Sequence, residues 1–373
     1  MKDKIWLSSP HMGGKEMQYV QEAYDTNWVA PLGPNVNGFE QDIINYTGVK
    51  AASVLSSGTA AIHLALILLG IESDDEVLCS TFTFSASANP IVYQKAIPVF
   101  IDSEKETWNM CPVLLEEAIE DRISKGKKPK AIILVHLYGM PSKMDEIMSV
   151  ASKYSIPVIE DAAEAIGSTY KGKAMGTLGE IGVYSFNGNK IITTSGGGAL
   201  VSNNEEYCKK AIFLATQARD EAPHYQHSEI GYNYRMSNIV AGIGRGQMEV
   251  LDERVSARRA NHTYYLENLS SINGITFLQE PEGFFSNRWL SCILTKSFEQ
   301  REKLRLALAK ENIEARPLWK PMHQQPVFEN YPAYTNGVSE DLFEKGLCLP
   351  SGSNLAKEDL NRVINGIKKA LNA

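Results

Sequence analysis

The 373 residues include five cysteines, Cys79, Cys111, Cys208, Cys292 and Cys348, and no two of them form a CxxC pair. That scatter argues against a zinc ribbon, and the odd number against a complete disulfide framework, so a reducing compartment is expected. Positive charge is scarce too. The formal net charge is -7, and the one basic run, "SKGKKPK" at 124–130, reads as a solvated loop before a strand. A nucleic-acid footprint needs clustered Lys and Arg, so no nucleic-acid partner is expected. Long apolar runs are also missing. The most apolar window, "AAIHLALILLG" at 60–70, is too short to span a bilayer, and "MKDKIWLSSP" lacks the apolar stretch of a signal peptide. A cytoplasmic protein without membrane association is the expectation.

What the sequence does hold is enough apolar residue, 43%, to build a sizeable core, and its length suggests two domains. Between about 50 and 200, short strands alternate with helical patterns: "AASVLS", "EVLCS", "IPVFID", "AIILVH" and "IPVIED" are separated by stretches such as "TAAIHLALILLG" and "MDEIMSVASKY". Strands that are apolar throughout are buried on both faces. This alternation implies an α/β fold with a mainly parallel sheet and ligands at the carboxyl ends of its strands. From 237 the texture changes. "SNIVAGIGRGQMEVLDERVSARRANHTYYLENL" reads as one long helix capped by Ser237 or Asn238. Short strands near 274–278 and 290–294, a helix at 299–310 and an amphipathic C-terminal helix follow. The expected division is a large α/β domain over 1–240 and a smaller α+β domain over 241–373.

Three stretches carry chemistry. In "VLSSGTAAIHLAL", Ser56, Ser57, Gly58 and Thr59 lie between a strand and a helix, where free N–H groups favour a phosphate; an ordinary helix cap would look the same. In "IPVIEDAAEAIGS", Glu160, Asp161 and Glu164 could bind a divalent metal, could be acids at a helix start, or could place Asp161 against a protonated ring nitrogen. In "SFNGNK", Lys190 is either a surface lysine or a desolvated nucleophilic amine. Gly196, Gly197 and Gly198 beyond it would serve a hairpin or pass beneath a planar ligand.

Together, a phosphate cradle, an acid at a strand end and a lysine beyond it are what pyridoxal phosphate requires. Phe84, in "STFTFSASANP", is placed to cover the ring of that cofactor. Competing patterns are poorer. Gly242, Gly244 and Gly246 in "AGIGRGQ" imitate a dinucleotide loop but fall inside a helical pattern. "YTGVK" has a reductase-like Tyr–Lys spacing without a glycine fingerprint, and His224 and His227 have no further ligands for a metal. No metal site is expected, and a nicotinamide-dependent oxidoreductase ranks below a pyridoxal enzyme.

Across nearly the whole chain, "NWVAPLGPNVNGFEQDI", "SSGTAAIHLAL", "FTFSASAN", "EDAAEAIGS", "YSFNGNK", "GYNYRMSN" and "ARPLWKPMHQQPVF" resemble, in that order, the DegT/DnrJ/EryC1/StrS family of pyridoxal-phosphate-dependent sugar aminotransferases. The resemblance implies the aspartate-aminotransferase-like fold, type I among pyridoxal-phosphate enzymes. It implies Lys190 as the Schiff-base lysine and proton shuttle and Asp161 as the partner of the pyridine nitrogen. Gly58, Thr59 and Ser185 would hold the phosphate, with Phe84 on the ring. It also implies Asn233, in "GYNYR", reaching the phosphate of a partner subunit, hence a homodimer with shared sites. Lysine where some members carry histidine favours transamination over dehydration. Glu164 stands beside the cofactor where many members have glutamine or histidine, and "TTSGGG" lacks a glutamate often found there.

The nearest likeness is to the subgroup that aminates C4 of UDP-linked 4-keto-6-deoxy-N-acetylhexosamines with L-glutamate as donor. A 3-keto-sugar aminotransferase of the same family, or a regulatory protein that binds the cofactor without turnover, are the alternatives. For the nucleotide-sugar, Arg316, Trp319 and His323 in "ARPLWKPMH", Trp28 and Arg219 are the candidate contacts, each equally readable as structural.

Overall fold

The computed structural model describes residues 3–372. The runs "AASVL", "EVLCS", "IPVFI", "AIILV" and "VIED" form strands, and eight strands join one sheet in the order Ala51–Leu55, Gly198–Ser202, Ile181–Ser185, Val158–Asp161, Ala131–Val135, Glu76–Ser80, Ile97–Ile101 and Ala333–Tyr334. Gly198–Ser202 runs antiparallel to both neighbours, and every other pairing is parallel. The reason for the unbroken apolar runs is visible in the side-chain alternation. Ile132 and Leu134 enter the core on one face, Ala131 and Ile133 the core on the other. With period two, a strand covered on both faces buries every position and so reads as a nearly unbroken apolar run.

A second sheet is antiparallel, ordered Thr276–Phe277, Ser291–Leu294, Gly346–Leu349 and Arg316–Pro317. It shares a core with the helices Leu251–Leu269, Phe298–Lys310 and Lys357–Leu371 through Tyr265, Leu304, Leu308, Val363 and Ile367. Packing nevertheless crosses residue 240 repeatedly. Ile5 bridges to Ile313, Ala333–Tyr334 pairs with Ile97–Ile101, and the helix Asn238–Met248 packs on the N-terminal helices Glu16–Asp25 and Pro34–Thr47.

The long helix expected from 237 is two helices, Asn238–Met248 and Leu251–Leu269, interrupted at 249–250. Ser237 caps the first, its Oγ accepting from the Val240 N–H at 3.2 Å. The interruption lets the halves bury different faces. The first half presents glycine: a Cβ on Gly244 would lie 2.5 Å from the Phe39 ring, and one on Gly246 2.7 Å from the Glu16 nitrogen. The glycines of "AGIGRGQ" therefore allow close helix approach. The second half turns Arg254, Val255 and Arg258 inward.

Candidate active site

The parallel strands end at a common edge, and the turns that follow them enclose a cavity of about 260 Å³. The helix Gly58–Leu68 begins there. Ser57 caps it, with Oγ accepting from the Ala60 N–H at 3.0 Å, and the first-turn amides of Gly58 and Thr59 lack acceptors inside the helix. Gly58 sits so close to Ser185 that a Cβ on it would lie 3.2 Å from the Ser185 Cβ, and a Cβ on Gly198 would meet the Gly58 nitrogen at 2.4 Å. Backbone N–H groups at the positive end of a helix dipole, beside the Ser185 and Thr59 hydroxyls, form an anion cradle that side chains at those glycines would fill.

Asp161 is the last residue of its strand and is buried. Its Oδ2 accepts from Ser87 Oγ at 2.6 Å and its Oδ1 from the Ala163 N–H at 3.1 Å, so the carboxylate is oriented while still facing the cavity. Lys190 lies in the segment between Ile181–Ser185 and Gly198–Ser202. The segment is tied down from outside: Trp289 Nε1 donates to Asn189 O at 2.7 Å, and Arg258 Nη2 to Lys190 O at 3.4 Å. The Lys190 ammonium enters the cavity 3.4 Å from Glu164 Oε1 and 4.1 Å from the centre of the Trp289 ring.

The three neighbouring carboxylates diverge. Glu160 faces away from the cavity, accepting from His136 Nε2 at 2.9 Å, Gly176 N at 2.8 Å, Leu178 N at 2.6 Å and the Gly179 N–H. Burial opposes its ionisation, but the His136 contact and these amides outweigh that and hold its carboxyl below the usual range. For Glu164 the balance is reversed. Burial pushes its carboxyl up, only partly countered by Lys190 and by the Tyr138 N–H at 2.7 Å. Among the described residues no group of three His, Cys, Asp or Glu side chains converges as a metal site.

The cavity thus gathers Gly58, Thr59, Phe84, Asp161, Glu164, Ser185 and Lys190, together with Gly196 and Gly197. Asn233 is exposed and outside it, bridging to Thr216. The structure does not bring Trp28, Arg219, Arg316 or His323 to this cavity. Arg316 is solvent-exposed and pairs with Glu314 at 2.7 Å, and the Arg219 guanidinium stacks over Tyr225 at 4.5 Å. Both ring nitrogens of His323 are engaged, Nδ1 with Thr81 Oγ1 at 2.7 Å and Nε2 with Glu340 at 3.0 Å. Trp28 is half-exposed, and its carbonyl accepts from Asn238 Nδ2 at 3.0 Å. Trp319 does line the cavity, against Phe84 at 5.6 Å between ring centres.

Several contributors carried no sequence signal. Trp289 arrives from about a hundred residues beyond Lys190, in "SNRWLS". Tyr138 is buried between Trp289 and Trp319, its ring 6.3 Å and 5.9 Å from theirs. Ser87, which orients Asp161, could have been singled out only by its place one turn past Phe84.

An anion cradle, an oriented carboxylate and a part-buried lysine lining one cavity fit pyridoxal phosphate, whose phosphate, ring nitrogen and aldehyde need those three partners. Known proteins agree. The chain is 56% identical over 368 residues to a putative pyridoxal phosphate-dependent aminotransferase, EpsN, of Bacillus subtilis, covering 98% of this chain and 95% of that one. It is 40% identical to GDP-perosamine synthase of Escherichia coli O157:H7, covering 98% of each. The pyridoxal-phosphate form of a putative sugar aminotransferase from Streptococcus pneumoniae superposes with a TM-score of 0.92 at 26% identity, over 99% of each chain. Residues 10–368 match the DegT/DnrJ/EryC1/StrS aminotransferase family, and this chain belongs to it as a pyridoxal-phosphate-dependent sugar aminotransferase.

Proposed function

We propose that the protein moves an amino group from L-glutamate to the C4 carbonyl of a nucleotide-linked keto-sugar, with UDP-2-acetamido-4-keto-2,6-dideoxyhexose as the first acceptor to test. The observation that carries the transamination is the Lys190 amine and the Asp161 carboxylate lining one cavity with the start of the helix Gly58–Leu68. Pyridoxal phosphate, when bound, supplies an electron-withdrawing ring and a carbonyl that accepts and returns the amino group. In this reading Gly58, Thr59 and Ser185 bind the phosphate. Asp161 holds a proton on the ring nitrogen, since a fixed anion in a dry site favours the cationic partner. Lys190 bears the cofactor at rest and, once released, moves the proton at the substrate carbon. Phe84, Trp289 and Trp319 line the cavity with aromatic surface.

A nucleotide-sugar is longer than this cavity. A second cavity of about 420 Å³ shares Thr83, Phe84 and Trp319 with the first and carries Lys320, giving an extended, aromatic and cationic path outward. Asn233, exposed on its own chain, would reach the cavity of a second copy in a homodimer, as the family resemblance implies. The relative named for GDP-perosamine makes a GDP-linked sugar the second acceptor to test.

The test loads the protein with glutamate until the visible band of the lysine-bound cofactor is lost, then adds UDP-linked or GDP-linked 4-keto-sugars. Rapid return of the band with the UDP sugar is the expected result. Return with the GDP sugar alone would move the assignment to that nucleotide, and return with neither would overturn a 4-keto acceptor.

A further inference from the structure

Glu164 is provided for in a way that an ordinary buried acid is not. Tyr138 is a bulky residue held at φ 53°, a left-handed conformation that such side chains rarely adopt and that persists only where surrounding structure enforces it. Through it the Tyr138 N–H points at Glu164 Oε2, 2.7 Å away. Asn287 Nδ2 fixes the backbone of the same residue, donating to the Glu164 carbonyl at 2.9 Å. The other oxygen, Oε1, is left to the Lys190 ammonium at 3.4 Å.

The same ammonium lies over the face of Trp289, 4.1 Å from its centre. Trp289 is itself clamped at three atoms. Its Nε1 donates to Asn189 O at 2.7 Å, its carbonyl accepts from Arg258 Nη1 at 2.7 Å, and its N–H donates to Asn287 Oδ1 at 2.9 Å. A carboxylate and an aromatic face within reach of one ammonium make a site for a cation.

We infer that Glu164 and Trp289 form a docking site for the free ammonium of Lys190, the position the amine takes and keeps its proton in whenever it is not covalently engaged. Glu164 is then a positioning residue acting through Lys190, rather than a cofactor contact. This rests on Lys190 being the lysine that bears the cofactor. The other titratable groups near Glu164 are Asp161, the Tyr138 hydroxyl and the Cys292 thiol. The Arg258 guanidinium is held on the Lys190 and Trp289 carbonyls, and Lys190 supplies the positive charge at Glu164 Oε1.

The test uses full-length protein freed of cofactor, as native, Glu164→Gln and Trp289→Phe chains. Each is treated with formaldehyde and cyanoborohydride across a pH series, and methylation of Lys190 is read by mass spectrometry. Removing the carboxylate is expected to speed labelling at neutral pH about tenfold and to move its pH profile downward, because an anion beside an amine favours the charged form. Trp289→Phe should move the profile the same way by a smaller factor, about threefold. A merely structural role would lower the melting temperature and leave the profile in place. Coincident profiles for native and Glu164→Gln chains would overturn the inference. Should Glu164→Gln not fold, coincident profiles for native and Trp289→Phe would do so alone. Because this readout needs neither cofactor nor sugar, its failure is distinct from failure of the proposed reaction.

Discussion

Glu160 and Glu164 are two buried glutamates four residues apart, and each faces a cationic or protonatable side chain. Glu160 is saturated: His136 and three backbone N–H groups surround its carboxylate, away from the cavity. Glu164 has one backbone donor and a lysine at 3.4 Å, and it faces the cavity. A carboxylate with every lone pair engaged holds strands and turns together and has no capacity left for chemistry. One with fewer fixed donors keeps an oxygen for the Lys190 ammonium. Burial alone does not separate the two roles; the number of fixed donors does.

Mutations on each side should separate the two roles. Lys190→Ala should reduce turnover about 10,000-fold while the chain still melts cooperatively, as steady-state assay and calorimetry would show. Glu160→Ala should cost about 3–5 kcal/mol in urea unfolding, because it strands His136 and the amides of the turn after the strand. Asp161→Asn keeps an acceptor for Ser87 and should leave stability nearly intact, yet lower turnover about a hundredfold by removing the anion opposite the ring nitrogen.

The smallest effect is also the most discriminating. Glu160 has a lowered carboxyl, so its contribution is present above the unfolded value of 4.5 and is lost as pH falls through the folded one. Glu164 has a raised carboxyl, so its contribution is present below 4.5 and is lost as pH rises through its folded value. Glu160→Gln should therefore weaken the loss of stability on acidification, and Glu164→Gln should steepen it. Denaturant midpoints measured at a series of pH values would show whether the two curves depart from the native one in opposite directions.

Strands and the residues at their ends were legible because burial on both faces forces an apolar run, and several of these runs stop beside the cavity. Asp161, Ser185 and Gly58 all sit at such stops. Lys190 was legible from its place between a strand and glycines. Trp289, Tyr138 and Arg258 were not, since they reach the site from distant parts of the chain and only packing joins them to it. The interruption at 249–250 was equally hidden, because both halves keep helical periodicity while turning different faces inward. Arg316 and His323 show the converse. Charged and imidazole side chains in one short motif suggested a nucleotide contact, but in this chain each is satisfied by a nearby carboxylate.

The central claim is that Lys190 carries the cofactor. Reducing the yellow holoenzyme with borohydride fixes the cofactor to whichever amine holds it, and peptide mass spectrometry then locates the adduct. The account requires a single pyridoxyl adduct on Lys190, absent after prior treatment with glutamate. An adduct on Lys320 or any other lysine, or none at all, would contradict it.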